Sequence, residues 1–164
     1  MRVNKTINTI IKINPFLLIL SVLIISYLIS FITLLFPESA NQNETEFLLE
    51  TPWQKIIFGI LIIPFLETII FQTTIISIIC NIIKRPKYNF YTSIIISAFA
   101  FSVSHAYNFY YLIYMFIIGI ILAFVYYISR YRKMVATITI FLIHAIWNAF
   151  GFLSDYISTI DLLS

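Results

Sequence analysis

The chain has 164 residues, of which 61% are apolar and only 10% charged, with a formal net charge of +3. That balance excludes a soluble globular domain and points to an integral membrane protein the size of one compact helical bundle. One cysteine, Cys80, excludes an intrachain disulfide and a cysteine-rich metal site, and the small positive excess reads as membrane topology, with no nucleic-acid partner.

Residues 1–54 predict a basic N-terminal segment, a first transmembrane helix over 16–36 and an outer loop. Arg2, Lys5 and Lys12 precede that helix. Its apolar run is longer than the ~7–15 residues of a signal-peptide core, so it reads as a retained span. The loop carries Glu38, Glu44, Glu46 and Glu50, and Pro52 and Trp53 mark the return to the membrane interface. A second span over 55–83 is long enough to tilt or kink and contains Glu67. Three further spans follow over 90–106, 109–129 and 134–153, the third span of the chain being the shortest. Residues 55–153 form the core unit, and 154–164 a short C-terminal tail with Asp155 and Asp161. Barrel strands would alternate apolar and polar residues, and these runs do not. The fold expected is all-α, a polytopic transmembrane bundle of about five spanning helices.

Basic residues give the orientation. Lys84, Arg85 and Lys87 follow the second span, and Arg130, Arg132 and Lys133 follow the fourth. Together with the N-terminal three, nine of the ten basic residues fall on one side, Lys55 being the exception. The positive-inside rule then puts the N-terminus inside and the C-terminus outside. The richness in Ile, Asn and Lys fits an AT-rich bacterial genome, hence a bacterial cell membrane.

Glu67 lies near the middle of an apolar run with no lysine or arginine beside it. An acid at that depth costs about 2.5–3.5 kcal/mol on insertion scales and is functional by default. The chain's two histidines, His105 and His144, also lie in apolar runs. One carboxylate and two imidazoles in such sequence read as one assembled site. Pro64, three residues before Glu67, withdraws a hydrogen-bond donor and predicts a kink that opens space for water. Phe101 and His105 are four apart and share a helix face. Ser93, Ser97 and Ser104 recur at helical spacing, which predicts a close-packed helix interface. His144 and Asn148 are four apart, and two aligned donors in a dry cavity suit a developing oxyanion. Each pattern has a purely structural reading as well: a Glu tied to a neighbouring helix, a histidine capping the outer end of a span, a polar clasp between helices. Gly119 and Ala123 predict close packing within the bundle or a dimer contact, so the oligomeric state stays open. At a helical rise of 1.5 Å, Glu67 lies roughly 21 Å from Trp53 and His105 roughly 27 Å from Lys87. That puts Glu67 near mid-membrane and His105 nearer the outer face.

Taken in order, the three patterns resemble the intramembrane protease family that includes the CAAX prenyl endopeptidases and the Abi or bacteriocin-immunity proteins, the CPBP family. Its first motif is a Glu-Glu pair with an Arg four residues after the second Glu, its second Phe-x-x-x-His, its third His-x-x-x-Asn or Asp. Glu67, with Pro64 and Phe71 around it, matches the first Glu; Phe101 and His105 match the second motif; His144 and Asn148 match the third. Phe116, Gly119 and Tyr126 resemble the helix between the second and third motifs. Two positions depart from the pattern: Thr68 stands where the second Glu is expected and Gln72 where the Arg is expected. Both charges are lost together, which is milder than leaving one buried and unpaired, and a neutral hydrogen bond between Thr68 and Gln72 is the expectation.

The resemblance implies an intramembrane endopeptidase. Glu67 would act as general base on water, His105 would hold and polarise that water, and His144 and Asn148 would bind the oxyanion. No cofactor is required, although Glu67, His105 and His144 are also the types that hold a divalent metal. The implied partners are the lipid bilayer and a membrane-associated peptide or protein substrate, such as a bacteriocin leader or signal peptide. A non-catalytic member that regulates or scaffolds a partner membrane protein is the alternative, and Thr68 and Gln72 favour it. A small transporter subunit with Glu67 as proton carrier is a third class. Neither a His-Glu-x-x-His zinc helix nor an aspartate within a span is present.

Overall fold

Prolines and short polar side chains set where the helices begin. The computed structural model describes residues 12–33, 51–131 and 135–161, and among these the chain is helical throughout, in five helices with no strand. Helix α1 (Pro15–Thr33) opens on Pro15, and Asn14 Oδ1 accepts the Phe16 N–H at 2.8 Å. Helix α2 begins at Pro52 after a reciprocal capping box. There Thr51 Oγ1 accepts the Gln54 N–H at 3.3 Å, and Gln54 Oε1 accepts the Thr51 N–H at 2.9 Å. Helix α3 (Pro86–Val103) also opens on proline. Helix α4 (Phe109–Tyr131) is capped by Asn108, whose Oδ1 accepts the Tyr111 N–H at 2.8 Å. Helix α5 (Ala136–Asp161) runs on past residue 153, where the last apolar run ends. The turn from α2 to α3 is tied by Asn89, which donates to Ile83 O at 2.9 Å and Cys80 O at 3.3 Å.

Helix α2 is not uniform. An α-helical first turn, Pro52–Gln54, gives way to a π-helical stretch, Lys55–Ile62. A short α-helical piece, Ile63–Glu67, is followed by a second π-helical stretch, Thr68–Ile75, and then by α-helix again over Ile76–Ile82. The distortion expected at Pro64 therefore takes the form of widened turns on both sides of the piece that carries Pro64 and Glu67. Each wide stretch presents a carbonyl to a neighbouring helix. Gly59 O accepts from Asn148 Nδ2 of α5 at 2.8 Å, and Phe71 O accepts from Ser97 Oγ of α3 at 2.9 Å. These bonds hold the flanks of Glu67 at fixed heights against α3 and α5.

The core is built around α4, whose Ile118, Leu122, Ala123, Val125 and Tyr126 are buried against Leu18 and Val22 of α1, Ile94 and Phe101 of α3, and Ile140 and Ile143 of α5. Gly119 allows α4 to lie directly on α3: a Cβ there would come within 2.9 Å of Ala98 Cα and 3.1 Å of Ala98 O. With Ala123 fully buried beside it, the Gly119/Ala123 pattern serves packing within the bundle. Ser93 and Ser97 are fully buried in helix contacts, as the serine spacing predicts. Ser104 is exposed and lies past the last helical residue of α3, so it does not belong to that interface.

Outside this core the surface is apolar. Phe16, Phe31, Trp53, Ile82 and Phe109 are each more than 60% exposed, which suits lipid and not water. Among the described residues, three helices are long and apolar enough to cross a membrane, Lys55–Ile82, Phe109–Tyr131 and Ala136–Ser154, and Pro15–Phe31 is a shorter apolar helix. Helix α3 carries Lys87, Asn89, Ser93, Ser97 and Ser102, which lower its apolar character. Arg2, Lys5, Arg132, Lys133 and the acids Glu38, Glu44, Glu46 and Glu50 lie outside the described residues.

Candidate functional site

Helix α3 stops at Val103, and the backbone turns tightly there. The Ser104 N–H bonds Ala100 O at 3.3 Å and the His105 N–H bonds Ser102 O at 3.0 Å. His105 thus sits in the turn after the helix and not on a helix face, which corrects the expectation from its spacing. Its ring folds back all the same: Nδ1 is 2.8 Å from Phe101 O, and the two rings meet with centroids 4.5 Å apart. This turn brings the His105 ring against Glu67.

Glu67 is gripped from two sides. His105 Nε2 lies 3.2 Å from Glu67 Oε1, and His144 Nε2, from α5, lies 3.5 Å from Glu67 Oε2. Each imidazole takes a different oxygen, so the carboxylate cannot rotate without losing one contact. All three side chains are largely buried, with 17% of Glu67, 14% of His105 and 6% of His144 exposed. Phe101, fully buried, packs between them: its ring centroid is 5.8 Å from that of His144 and 5.6 Å from that of Phe71.

Hydrogen-bond chemistry fixes where a proton must be. Phe101 O can only accept, so His105 Nδ1 carries hydrogen; Ser104 Oγ, itself donating to Phe101 O at 2.7 Å, lies 3.0 Å from the same nitrogen. A neutral ring with hydrogen on Nδ1 has a lone pair on Nε2, which cannot donate to a carboxylate. The contact between Nε2 and Glu67 therefore needs one proton between them, on one partner or the other. An acid and an imidazole sharing a proton in a low-dielectric pocket is an arrangement suited to general acid–base work.

The other expected residues are placed differently. Asn148 shares a face of α5 with His144, and its amide nitrogen gives one of its two hydrogens to Gly59 O at 2.8 Å. Thr68 and Gln72 are fully buried, yet Thr68 Oγ1 and both polar atoms of the Gln72 amide have no hydrogen-bond partner among the described residues. The expected bond between them is absent because both lie in the stretch Thr68–Ile75, where a π-helical turn is wider and residues four apart no longer stack. His144 Nδ1 is likewise buried with no partner among the described residues. Tyr111 of α4, nearly buried, lies within electrostatic range of Glu67. Its ring packs in series between Tyr107, in the bend before α4, and Tyr114, one turn further along α4, with centroids 5.4 and 5.8 Å apart. Among the described residues, no group of three or more His, Cys, Asp or Glu side chains is arranged to hold a metal ion.

A family model described as type II CAAX prenyl endopeptidase Rce1-like matches residues 49–150. The matched region contains Glu67, His105, His144 and Asn148 and leaves out all of α1. No curated protein and no solved structure matches the chain.

Proposed function

The chain belongs to the Rce1-like family of type II CAAX prenyl endopeptidases, and we propose that it is an intramembrane endopeptidase in which Glu67 activates water against a peptide bond. The observation that carries this reading is the carboxylate held at 3.2 and 3.5 Å by both histidines inside an apolar bundle. Water enters beside Glu67 and loses a proton to it as its oxygen bonds the scissile carbonyl carbon. The resulting oxyanion takes a hydrogen bond from His144 Nε2, which turns from the carboxylate to the substrate oxygen. Glu67 then passes its proton to the leaving amine nitrogen, and the C–N bond breaks. His105 keeps the carboxylate oriented and polarises the water. Asn148 supports the site from behind by tying α5 to Gly59 O. Its second amide hydrogen is left for the oxyanion role that the motif implies.

In this reading the chain is a multi-pass protein of a bacterial cell membrane with its N-terminus inside, as its lopsided basic residues suggest. Its substrate is a membrane-associated peptide or protein precursor, of which bacteriocin leaders and signal peptides are examples. The test compares membranes carrying the wild type with membranes carrying Glu67→Gln at matched protein levels, with released and retained peptides profiled by mass spectrometry. A cleavage product present in the wild type and missing in the variant is the expected result. Identical profiles would sink the reading.

A second reading is favoured by Thr68 and Gln72, where the family's charged pair is missing: a catalytically silent member that regulates a partner membrane protein. It predicts a cellular phenotype that survives Glu67→Gln.

A further inference from the structure

Between α1, α4 and α5 lies a cavity of about 10 Å³, the room one water molecule needs. Its walls are apolar, from Leu23, Ile118, Leu122 and Ile143, except where Ser26, His144 and Trp147 reach it. Trp147 lies near the Tyr114 hydroxyl, which Ser30 Oγ approaches at 2.6 Å. His144 spends Nε2 on Glu67, while its Nδ1 is buried with no partner among the described residues. A buried nitrogen left unpaired costs about 1–3 kcal/mol. The cavity is just large enough for one water, and Ser26 and His144, both on its wall, supply the two polar partners a buried water needs.

We propose that Ser26 is a positioning residue for His144, acting through one water in this cavity that donates to His144 Nδ1 and accepts from the Ser26 hydroxyl. The proposal rests on the reading of His144 as oxyanion donor. The chemistry is that of tautomer choice. A neutral imidazole presents one N–H and one lone pair. A donor held at Nδ1 forces the lone pair there and the N–H onto Nε2, the atom that faces Glu67 and the incoming carbonyl. Without that donor the tautomer rests on the Glu67 contact alone, at 3.5 Å, and hydrogen on Nδ1 becomes accessible, which leaves Nε2 a lone pair where a donor is needed. Ser26 stands on α1, outside the region the family model matches. The first helix thereby becomes part of the site's machinery as well as its packing.

The chain's two histidines make the idea directly measurable. The full-length protein is labelled at histidine nitrogens, reconstituted in lipid nanodiscs and read by nitrogen NMR, with His105→Gln assigning the signals. Such spectra distinguish the two neutral tautomers and need no substrate, so they stand whether or not the peptidase reading does. Wild-type His144 is expected with hydrogen on Nε2 and Nδ1 in contact with water. Ser26→Ala is expected to shift it towards hydrogen on Nδ1, whereas Ser26→Thr, which keeps the hydroxyl, restores the wild-type pattern. Ser30→Ala, which removes another α1 hydroxyl away from the cavity, is expected to leave it unchanged. The proposal is overturned by hydrogen on Nδ1 in the wild type, by an unchanged pattern in Ser26→Ala, or by an equal shift in Ser30→Ala. Where peptide cleavage is measurable, Ser26→Ala lowers kcat at least about tenfold with KM held, as expected of a mis-set tautomer.

Discussion

Adding one carbon at Gly119 should dislodge a histidine from a different helix. The new Cβ of Gly119→Ala would sit 2.9 Å from Ala98 Cα and 3.1 Å from Ala98 O, both backbone atoms. Carbon atoms pack best at about 3.5–4.0 Å, so α3 and α4 must part by roughly 0.6–1.1 Å. Overpacking of this kind destabilises by about 1–3 kcal/mol. Helix α3 ends in the turn that presents His105, whose contact with Glu67 is 3.2 Å. A shift of that size carries the pair towards 4 Å, past hydrogen-bond range, and a misplacement of about 1 Å lowers activity on the order of 100-fold. The assay is thermal unfolding in detergent, together with the cleavage read by mass spectrometry. Ala98→Gly in the same chain should not rescue the variant, because it removes only the contact to Ala98 Cβ at 3.2 Å and leaves both backbone contacts. A Gly119→Ala protein with wild-type melting and wild-type cleavage refutes the reasoning, and so does full rescue by Ala98→Gly.

Other substitutions probe the remaining polar groups. Thr68→Val removes a buried hydroxyl that has no partner among the described residues, so thermal unfolding should show it neutral or stabilised by about 1 kcal/mol; a clear loss would mean that Thr68 is bonded in the membrane. Thr68→Glu alone buries an unpaired charge and should cost about 3–5 kcal/mol, while Thr68→Glu with Gln72→Arg, which rebuilds the family's pair, should recover most of it in a double-mutant cycle. Asn148→Ala removes the donor to Gly59 O at 2.8 Å and should lower stability by about 1–3 kcal/mol. An Asn148→Ala protein that melts normally yet loses cleavage would assign Asn148 to the oxyanion.

Glu67, His105 and His144 were legible in the sequence because ionisable groups stand out in an apolar run, and such groups are held only where they meet one another. Helix positions were legible for a similar reason, since run length and flanking charge carry that signal. The pieces that escaped depend on contacts between distant segments. Nothing in Lys55–Ile62 or Thr68–Ile75 announces π-helical turns; their widened carbonyls are accommodated by Asn148 and Ser97, far along the chain. The missing bond between Thr68 and Gln72 follows from the same widening. His105 was placed on a helix face because helical spacing cannot show that α3 ends two residues before it. Ser26 has no signal in the sequence, because a serine in a transmembrane run has no distinctive spacing, and only the folded bundle sets it on the same cavity as His144.

The site has a consequence for how the protein is made. Glu67 emerges first, on α2, but its two partners arrive on later segments: His105 after α3, His144 on α5. The braces at Phe71 O and Gly59 O come from those same later helices. A chain caught partway through synthesis therefore carries the acid without the groups that orient it. Under the proposed peptidase reading, hydrolytic competence arises only once α5 has docked and His144 has reached the carboxylate.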